Sequence, residues 1–379
     1  MCSIRSRLDP LLRLRAFAIT SALLSLAPSA GAQIWRAVRT PNPDPFNDLL
    51  TSISAVSASD IWSVGQVAVH FDGVKWSAIP IVTAGDLGTF DLNGVAAFSA
   101  TNAWAVGEYA TGGIEHTIIE HWDGASWSQA PSPQFQNGSI FTGISAVSSQ
   151  SVYASGWFVN DASTLILPMV AHWNGMSWSL LATPTPPSDT FATKISALSD
   201  SDIWLVGYSL GQQFTNRTFA IHFNGTSWSI VTTPNVGGGD NKLNDIVTIA
   251  ANEAWAVGSS DNGGEQTLIE HWNGSAWSVV PSPNASPSLG NRLFGIGALS
   301  ATSVWTCGSF FDPDGSNNQS PLIEHWDGLQ WTLSPAAPLG NSDTLFGVAT
   351  LPPNLVFLSG GAIYPPTIRT LVLKTTHGQ

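Results

Sequence analysis

Cysteine is nearly absent from this chain of 379 residues, which has only Cys2 and Cys307. A single thiol beyond the first two residues forms no internal disulfide, so the fold has to be held by packing. Charge is scarce too, with only 10% of residues Asp, Glu, Lys or Arg, well below the roughly one quarter of an ordinary globular protein. Ser, Thr, Asn and Gly take their place, a composition that suits many short strands and turns. What charge there is runs acidic, with 26 Asp and Glu against 13 Lys and Arg. Such a surface repels nucleic acid and anionic lipid. No hydrophobic run is long enough to span a bilayer.

The longest apolar stretch, Ala16 to Ala27, follows Arg5, Arg7, Arg13 and Arg15 and precedes Ala30-Gly31-Ala32. A basic region, a short apolar run and an A-x-A site make a secretory signal peptide over 1–32, cut after Ala32. The expected location is therefore secreted or periplasmic. Removing four Arg and Asp9 leaves 9 basic against 25 acidic residues, a net charge of −16.

The remainder, 33–379, is repetitive. Thr267 to Asn284 reads TLIEHWNGSAWSVVPSPN, and TIIEHWDGASWSQAPSPQ recurs from Thr117 and MVAHWNGMSWSLLATPTP from Met169. A second phrase precedes each copy: DIWSVG (Asp60 to Gly65), NAWAVG (Asn102 to Gly107), DIWLVG (Asp202 to Gly207) and EAWAVG (Glu253 to Gly258). Aligned on the last Gly of this phrase, seven registers end at Gly65, Gly107, Gly156, Gly207, Gly258, Gly308 and Gly360, stepping by 42, 49, 51, 51, 50 and 52 residues. A period near 50 with strand-like content predicts a solenoid or a propeller.

Each unit divides into four short strands. The first is an LxxIxAxS phrase such as LTSISAVS from Leu50, and the second ends at the repeat Gly. The third runs to a His-Trp pair and turns at Asp-Gly or Asn-Gly, where both central residues are expected at φ > 0. The fourth returns through x-x-W-S and stops at Pro. The units span 50–80, 92–133, 141–184, 192–234, 243–283, 293–335 and 345–374.

The seventh unit lacks a fourth strand, and the segment 33–43 supplies one, with Trp35 in the register of Trp277. The two ends complete one sheet and close the ring, leaving only short, protected edges. The expectation is an all-β, seven-bladed β-propeller of four-stranded antiparallel blades. Sixteen of seventeen Trp fall in repeat register, enough apolar area to build a core between blades without disulfides. The repeats resemble secreted bacterial propellers of the broad kelch, galactose-oxidase-like and Asp-box class over essentially all of 33–379. The spacing from Asp123 to Trp127 is one residue shorter than in an Asp box, and at the second strand the kelch double Gly appears only as Gly360-Gly361.

The connections from the second to the third strand, and from each unit to the next, vary in length and emerge on one face. From the repeat Gly to the His takes only 5 residues in the first unit and 14, 16, 15, 13 and 17 in the second to sixth. Binding residues favour variable loops on a rigid scaffold, so this face is the expected site. Trp157, the one Trp outside the repeat register, is predicted to open such a loop, with Tyr109, Tyr208, Phe310 and Phe311 nearby in register. They are candidates to stack on a sugar or an apolar partner side chain. The alternative is that Trp157 fills space left by Tyr153, which stands where the other units have Trp. Lys194 and Asp245 occupy one first-strand position that elsewhere holds Ser52, Gly94, Gly143, Gly295 and Gly347. They predict either an ion pair between blades or a polar binding feature at the channel mouth.

No metal, cofactor or catalytic residue is assigned. His70, His121, His172, His222, His271 and His325 hold one repeat position, too far apart in neighbouring blades to share an ion. Glu120, Glu270 and Glu324 beside them read as structural. Asp312 and Asp314 lie in a short acidic turn, but an EF-hand would need Gly and Glu where Asn317 and Ile323 stand. A sialidase site needs clustered Arg, a galactose-oxidase-like copper site a Tyr–Cys pair, and neither arrangement is evident; no G-x-S-x-G, H-E-x-x-H or phosphate loop occurs. The leading reading is a non-catalytic binding module for a glycan or an extracellular protein, with no nucleic-acid partner and no membrane insertion. The alternatives are a glycosidase or polysaccharide lyase using Glu108, Asp189 or Asp240, and a structural envelope component.

Overall fold

The computed structural model describes residues 34–81 and 90–376. The expected leader, 1–32, lies outside the described residues. Seven four-stranded antiparallel sheets form seven blades. The fifth is representative, running Asn241–Ala250, Glu253–Asp261, Glu265–Trp272 and Trp277–Val279 from the innermost strand outward. The seventh consists of Ser342–Leu351, Leu355–Tyr364 and Thr367–Thr376, completed by Ile34–Val38 from the other end of the chain. That outer strand pairs antiparallel from Ile34 against Thr376 to Val38 against Val372. The closed seven-bladed propeller is the architecture the repeats predicted. No helix among the described residues is long and apolar enough to cross a membrane.

Tryptophan joins the blades. Trp62 in the first blade packs against Trp122 and Trp127 of the second, with ring centroids 5.1 and 5.4 Å apart. Trp104, Trp204 and Trp255 meet the equivalent pair of the following blade in the same way. Trp305 meets Trp35 edge-on at 5.5 Å, so the closing strand supplies the ring its register predicts. Each repeat His stacks within its own blade on the second-strand aromatic, from 4.0 Å for His325 on Trp305 to 4.3 Å for His172 on Tyr153. Except at His271, its Nε2 bonds the first residue of that strand, as His70 does to Asp60 at 2.8 Å.

Two expectations need correction. At the hairpins only the Gly takes positive φ, as at Gly124 (98°). The loop has four residues between paired Trp122 and Trp127, and Asp123 Oδ1 holds it by accepting the Ala125 and Ser126 N–H groups at 2.9 Å. The carboxylate or amide at the first loop position thus replaces the second positive φ.

Outside the first blade, where Asp60–Gly65 ends at it, the second strands also do not stop at the repeat Gly. Ser151–Val159, Asn102–Thr111, Asp202–Leu210 and Ser303–Phe311 continue past it, so Trp157, Tyr109, Tyr208, Phe310 and Phe311 lie on strands rather than in loops. The Gly serves a different purpose. Every first strand carries a β-bulge opposite it, between Leu50 and Ser52, Leu92 and Gly94, Phe141 and Gly143, Ala192 and Lys194, Leu243 and Asp245, Leu293 and Gly295, and Leu345 and Gly347. The bulge pushes a backbone carbonyl at the second strand, and a Cβ at Gly156 would overlap the Ile140 oxygen. The same overlap recurs at Gly107, Gly207, Gly258 and Gly308. Only a residue without a side chain fits.

Candidate functional site: the mouth of the central channel

A bulge leaves one residue out of the ladder and re-aims its side chain. Here the seven unpaired residues are Thr51, Asn93, Thr142, Thr193, Asn244, Phe294 and Phe346, one from each blade. Together they ring the channel mouth, and with Glu108, Ile140 and Lys194 they line a cavity of about 340 Å³.

Five of the seven tie their blade to the next. Thr51, Thr142 and Thr193 donate their hydroxyls to the carbonyls of Leu92, Ala192 and Leu243 at 2.6–2.8 Å. Asn93 and Asn244 donate amide N–H to Phe141 and Leu293 carbonyls at 2.8 and 2.7 Å. With the Thr hydroxyl protons given to the neighbouring blade and both Asn93 amide protons engaged, these side chains offer the cavity mainly oxygen lone pairs, beside one remaining N–H of Asn244. The sixth and seventh blades break the pattern, Phe294 and Phe346 packing on each other with centroids 5.1 Å apart. The mouth is therefore polar and acceptor-rich on one side and aromatic on the other.

Two groups add charge. Lys194 reaches back across the third blade, its Nζ donating to the Asn93 and Thr142 carbonyls at 3.0 and 3.2 Å. Asp245 points the other way, accepting the Ile246 and Ile296 N–H groups at 2.8 and 3.0 Å. The pair tie different blades and share no direct contact, although Asp245 raises the Lys194 pKa against the larger lowering by burial. Burial pushes Asp245 up to about 6, against the opposing pull of Lys194 and its two N–H bonds. Glu108 accepts a hydrogen bond from Asn93 Nδ2. Burial first, then the charge of Asp91 beside it, pushes Glu108 to about 8, so it carries its proton at neutral pH. Asp91, its partner across the ladder, is also raised by burial.

The other candidates are dispersed. Asp189 and Asp240 are backbone clamps, accepting the Ile166 and Asn216 N–H groups at 2.9 Å. Tyr109 packs into the seam between first and second blades, and Phe310 into that between fifth and sixth. Phe311 turns to the opposite side of its strand, under the Arg292 guanidinium. Trp157 and Tyr208 belong to one aromatic row: Trp157 meets Phe191 edge-on at 5.6 Å, Phe191 stacks on Tyr208 at 5.1 Å, and Lys242 Nζ covers the Tyr208 ring at 4.9 Å. Trp157 does not fill a gap at Tyr153, which is buried in its own seam with its hydroxyl 3.0 Å from Asp200. Asp314 caps an exposed turn through Ser316, and no group of three or more metal-ligating side chains occurs among the described residues.

No family model matches the sequence, and no curated protein matches it. Similarity is found in shape. The structure of YCF48 bound to D1 peptide superposes with a TM-score of 0.57 at 14% identity, over 90% of this chain and 96% of that one. YCF48 from Cyanidioschyzon merolae gives 0.55 at 14% identity, over 90% and 98% of the two chains. A PL25 polysaccharide lyase, an ulvan lyase bound to -[GlcA(1-4)Rha3S]-, gives 0.55 at 9% identity over 88% and 95%. At such identities the likeness is one of fold, shared by a peptide-bound protein and an enzyme.

Proposed function

We propose that this chain is an exported, non-catalytic binding module that seats a glycan at the channel mouth. The observation that carries the reading is the division of the bulge ring, with Phe294 and Phe346 on one side and the oxygens of Thr51, Asn93, Thr142, Thr193 and Asn244 on the other. A sugar ring has this character, with C–H groups on its faces and hydroxyls at its edge. The hydroxyls donate to the acceptor ring while an apolar face packs on the phenyl rings. The propellers of like shape include one bound to a peptide and one bound to a polysaccharide. The mixed polarity of this mouth favours the sugar. The kelch and Asp-box likeness of the repeats and the leader-like 1–32 segment fit an exported protein.

A glycan array probed with the full chain tests this. We expect binding that Phe346→Ala and Asn244→Ala weaken about tenfold or more, the scale of a lost stacking or hydrogen-bond contact, at a temperature where thermal unfolding shows each variant to be folded. No binding to any glycan would overturn the reading.

A second reading, a glycosidase or lyase, is favoured by Glu108 alone. It is a carboxyl at the mouth that keeps its proton at neutral pH, as a general acid must. Release of reducing ends or unsaturated sugars from a polysaccharide, abolished by Glu108→Gln, would establish it.

A further inference from the structure

Below the mouth the channel opens into a second chamber of about 190 Å³, whose polar lining is Thr51, Ser52, Ser145, Ser196, Lys194 and Asp245. Thr51, Lys194 and Phe346 line both spaces, so the two are contiguous.

Hydrogen-bonding character reverses between the two levels. At the mouth each Thr hydroxyl donates to the next blade. In the chamber Ser52, Ser145 and Ser196 accept from the next blade instead, their Oγ atoms taking the Val95, Ala197 and Thr248 N–H groups at 3.2, 3.0 and 3.0 Å. No hydrogen bond among the described residues takes their hydroxyl protons, which leaves these for an occupant of the chamber. Lys194 donates two of its three protons to the Asn93 and Thr142 carbonyls, leaving the third. Four donors thus surround a space that holds roughly six waters at about 30 Å³ each. Against them stands one carboxylate, Asp245, each of whose oxygens already accepts a backbone N–H.

The charges of Lys194 and Asp245 balance, which decides the class of occupant. An additional anion would face Asp245, and a cation would face Lys194, both at short range where water is scarce. What accepts from such donors without adding charge is a neutral carbonyl oxygen, which takes two of them through its lone pairs. Building on the glycan reading above, we propose that the chamber receives the acetamido group of an N-acetylated sugar whose ring rests at the mouth. Its carbonyl accepts from Lys194 and one serine hydroxyl while water bridges the others, its N–H donates to the acceptor ring above, and its methyl displaces loosely held water.

Calorimetric titration of the full chain with three hexasaccharides tests this without mutation. Chitohexaose and cellohexaose share a β-1,4-linked glucose backbone and differ at C2, acetamido against hydroxyl, while the glucosamine hexamer carries an ammonium there. We expect chitohexaose to bind about tenfold or more tightly than cellohexaose, as for one charge-assisted hydrogen bond, and the glucosamine hexamer most weakly. Ser145→Ala/Ser196→Ala, if its thermal unfolding matches the parent, should shrink the ratio of chitohexaose to cellohexaose affinity, and an unchanged ratio overturns the role of the serines. Equal affinity for chitohexaose and cellohexaose, or tight binding of the glucosamine hexamer, overturns the proposal. So does an array on which only sugars without an acetamido group bind, although the glycan reading would then stand. An array with no binder overturns both.

Discussion

Lys194 lies across Gly143. A Cβ at Gly143 would come within 2.9 Å of Lys194 Cδ and 3.2 Å of its Cα, so the absent side chain in the third blade is the bed for the lysine of the fourth. This contact explains why a glycine precedes the lysine at one repeat position. The ammonium reaches the second blade only because the third is empty there.

Gly143→Ala should therefore lower stability by about 1–3 kcal/mol, the usual cost of overpacking, by lifting Lys194 from its two carbonyl acceptors. Gly238→Ala, where a Cβ would meet nothing within 4 Å, is the control and should be neutral. Chemical denaturation of the two variants checks the pair. An unchanged midpoint for Gly143→Ala would mean that Lys194 is free to lie elsewhere.

Closure depends on Ile34–Val38, which covers the edge of Thr367–Thr376 and brings Trp35 onto Trp305, its Nε1 3.0 Å from Ser334 Oγ. Trp35→Ala should cost about 3 kcal/mol, as for a deleted core aromatic. Deleting Gln33 to Asn42 should also expose a strand edge and promote aggregation. Thermal unfolding with light scattering reads both effects.

Trp157 packs on Phe191, whose other neighbour Tyr208 is covered by Lys242, so the row is closed on itself. Trp157→Ala is expected to lower stability by about 3 kcal/mol and to leave glycan affinity unchanged once the variant is folded. Lost binding with unaltered unfolding would instead make Trp157 a ligand contact.

Three seams carry an acid that no partner holds. Glu120, Glu270 and Glu324 are fully buried, and neither oxygen of any of the three has a hydrogen-bond partner. Burial pushes Glu120 to about 7, Glu324 to about 8 and Glu270 well above the usual range. The folded state then holds protons that the unfolded state releases from about pH 4.5 upward. This contribution to stability is complete below that pH and is lost as pH rises through about 7 to 8. His121, His172 and His325 act oppositely, because burial lowers their pKa and stability gained from them rises with pH up to about 6.5. The measurement is thus the difference between the parent and Glu120→Gln/Glu270→Gln/Glu324→Gln. The triple variant should gain stability over the parent as pH rises from 5 to 9, by more than about 1 kcal/mol, since even one unit of pKa is worth that much. A constant difference across this range would show that the carboxyls are solvated or paired.

The seven-fold repeat, the four strands of each blade, the closing role of the first strand and the Trp seams follow from residue order alone. They rest on local periodicity, turn chemistry and a count of strands, all of which a sequence displays. Residue order also carried a mark of the channel mouth, in the Gly that ends each W-x-V-G phrase. Its meaning lay in the facing strand, where a bulge drives a carbonyl against it. Tertiary structure decided which residues line the channel. A bulge breaks the two-residue alternation of a strand, so the unpaired Thr142 and Asn244 were indistinguishable in sequence from ordinary strand positions. It also decided that Lys194 and Asp245, at one repeat position in consecutive blades, reach in opposite directions. The direction of a long side chain depends on which neighbouring blade leaves room for it, and that room is set by residues about fifty positions away along the chain.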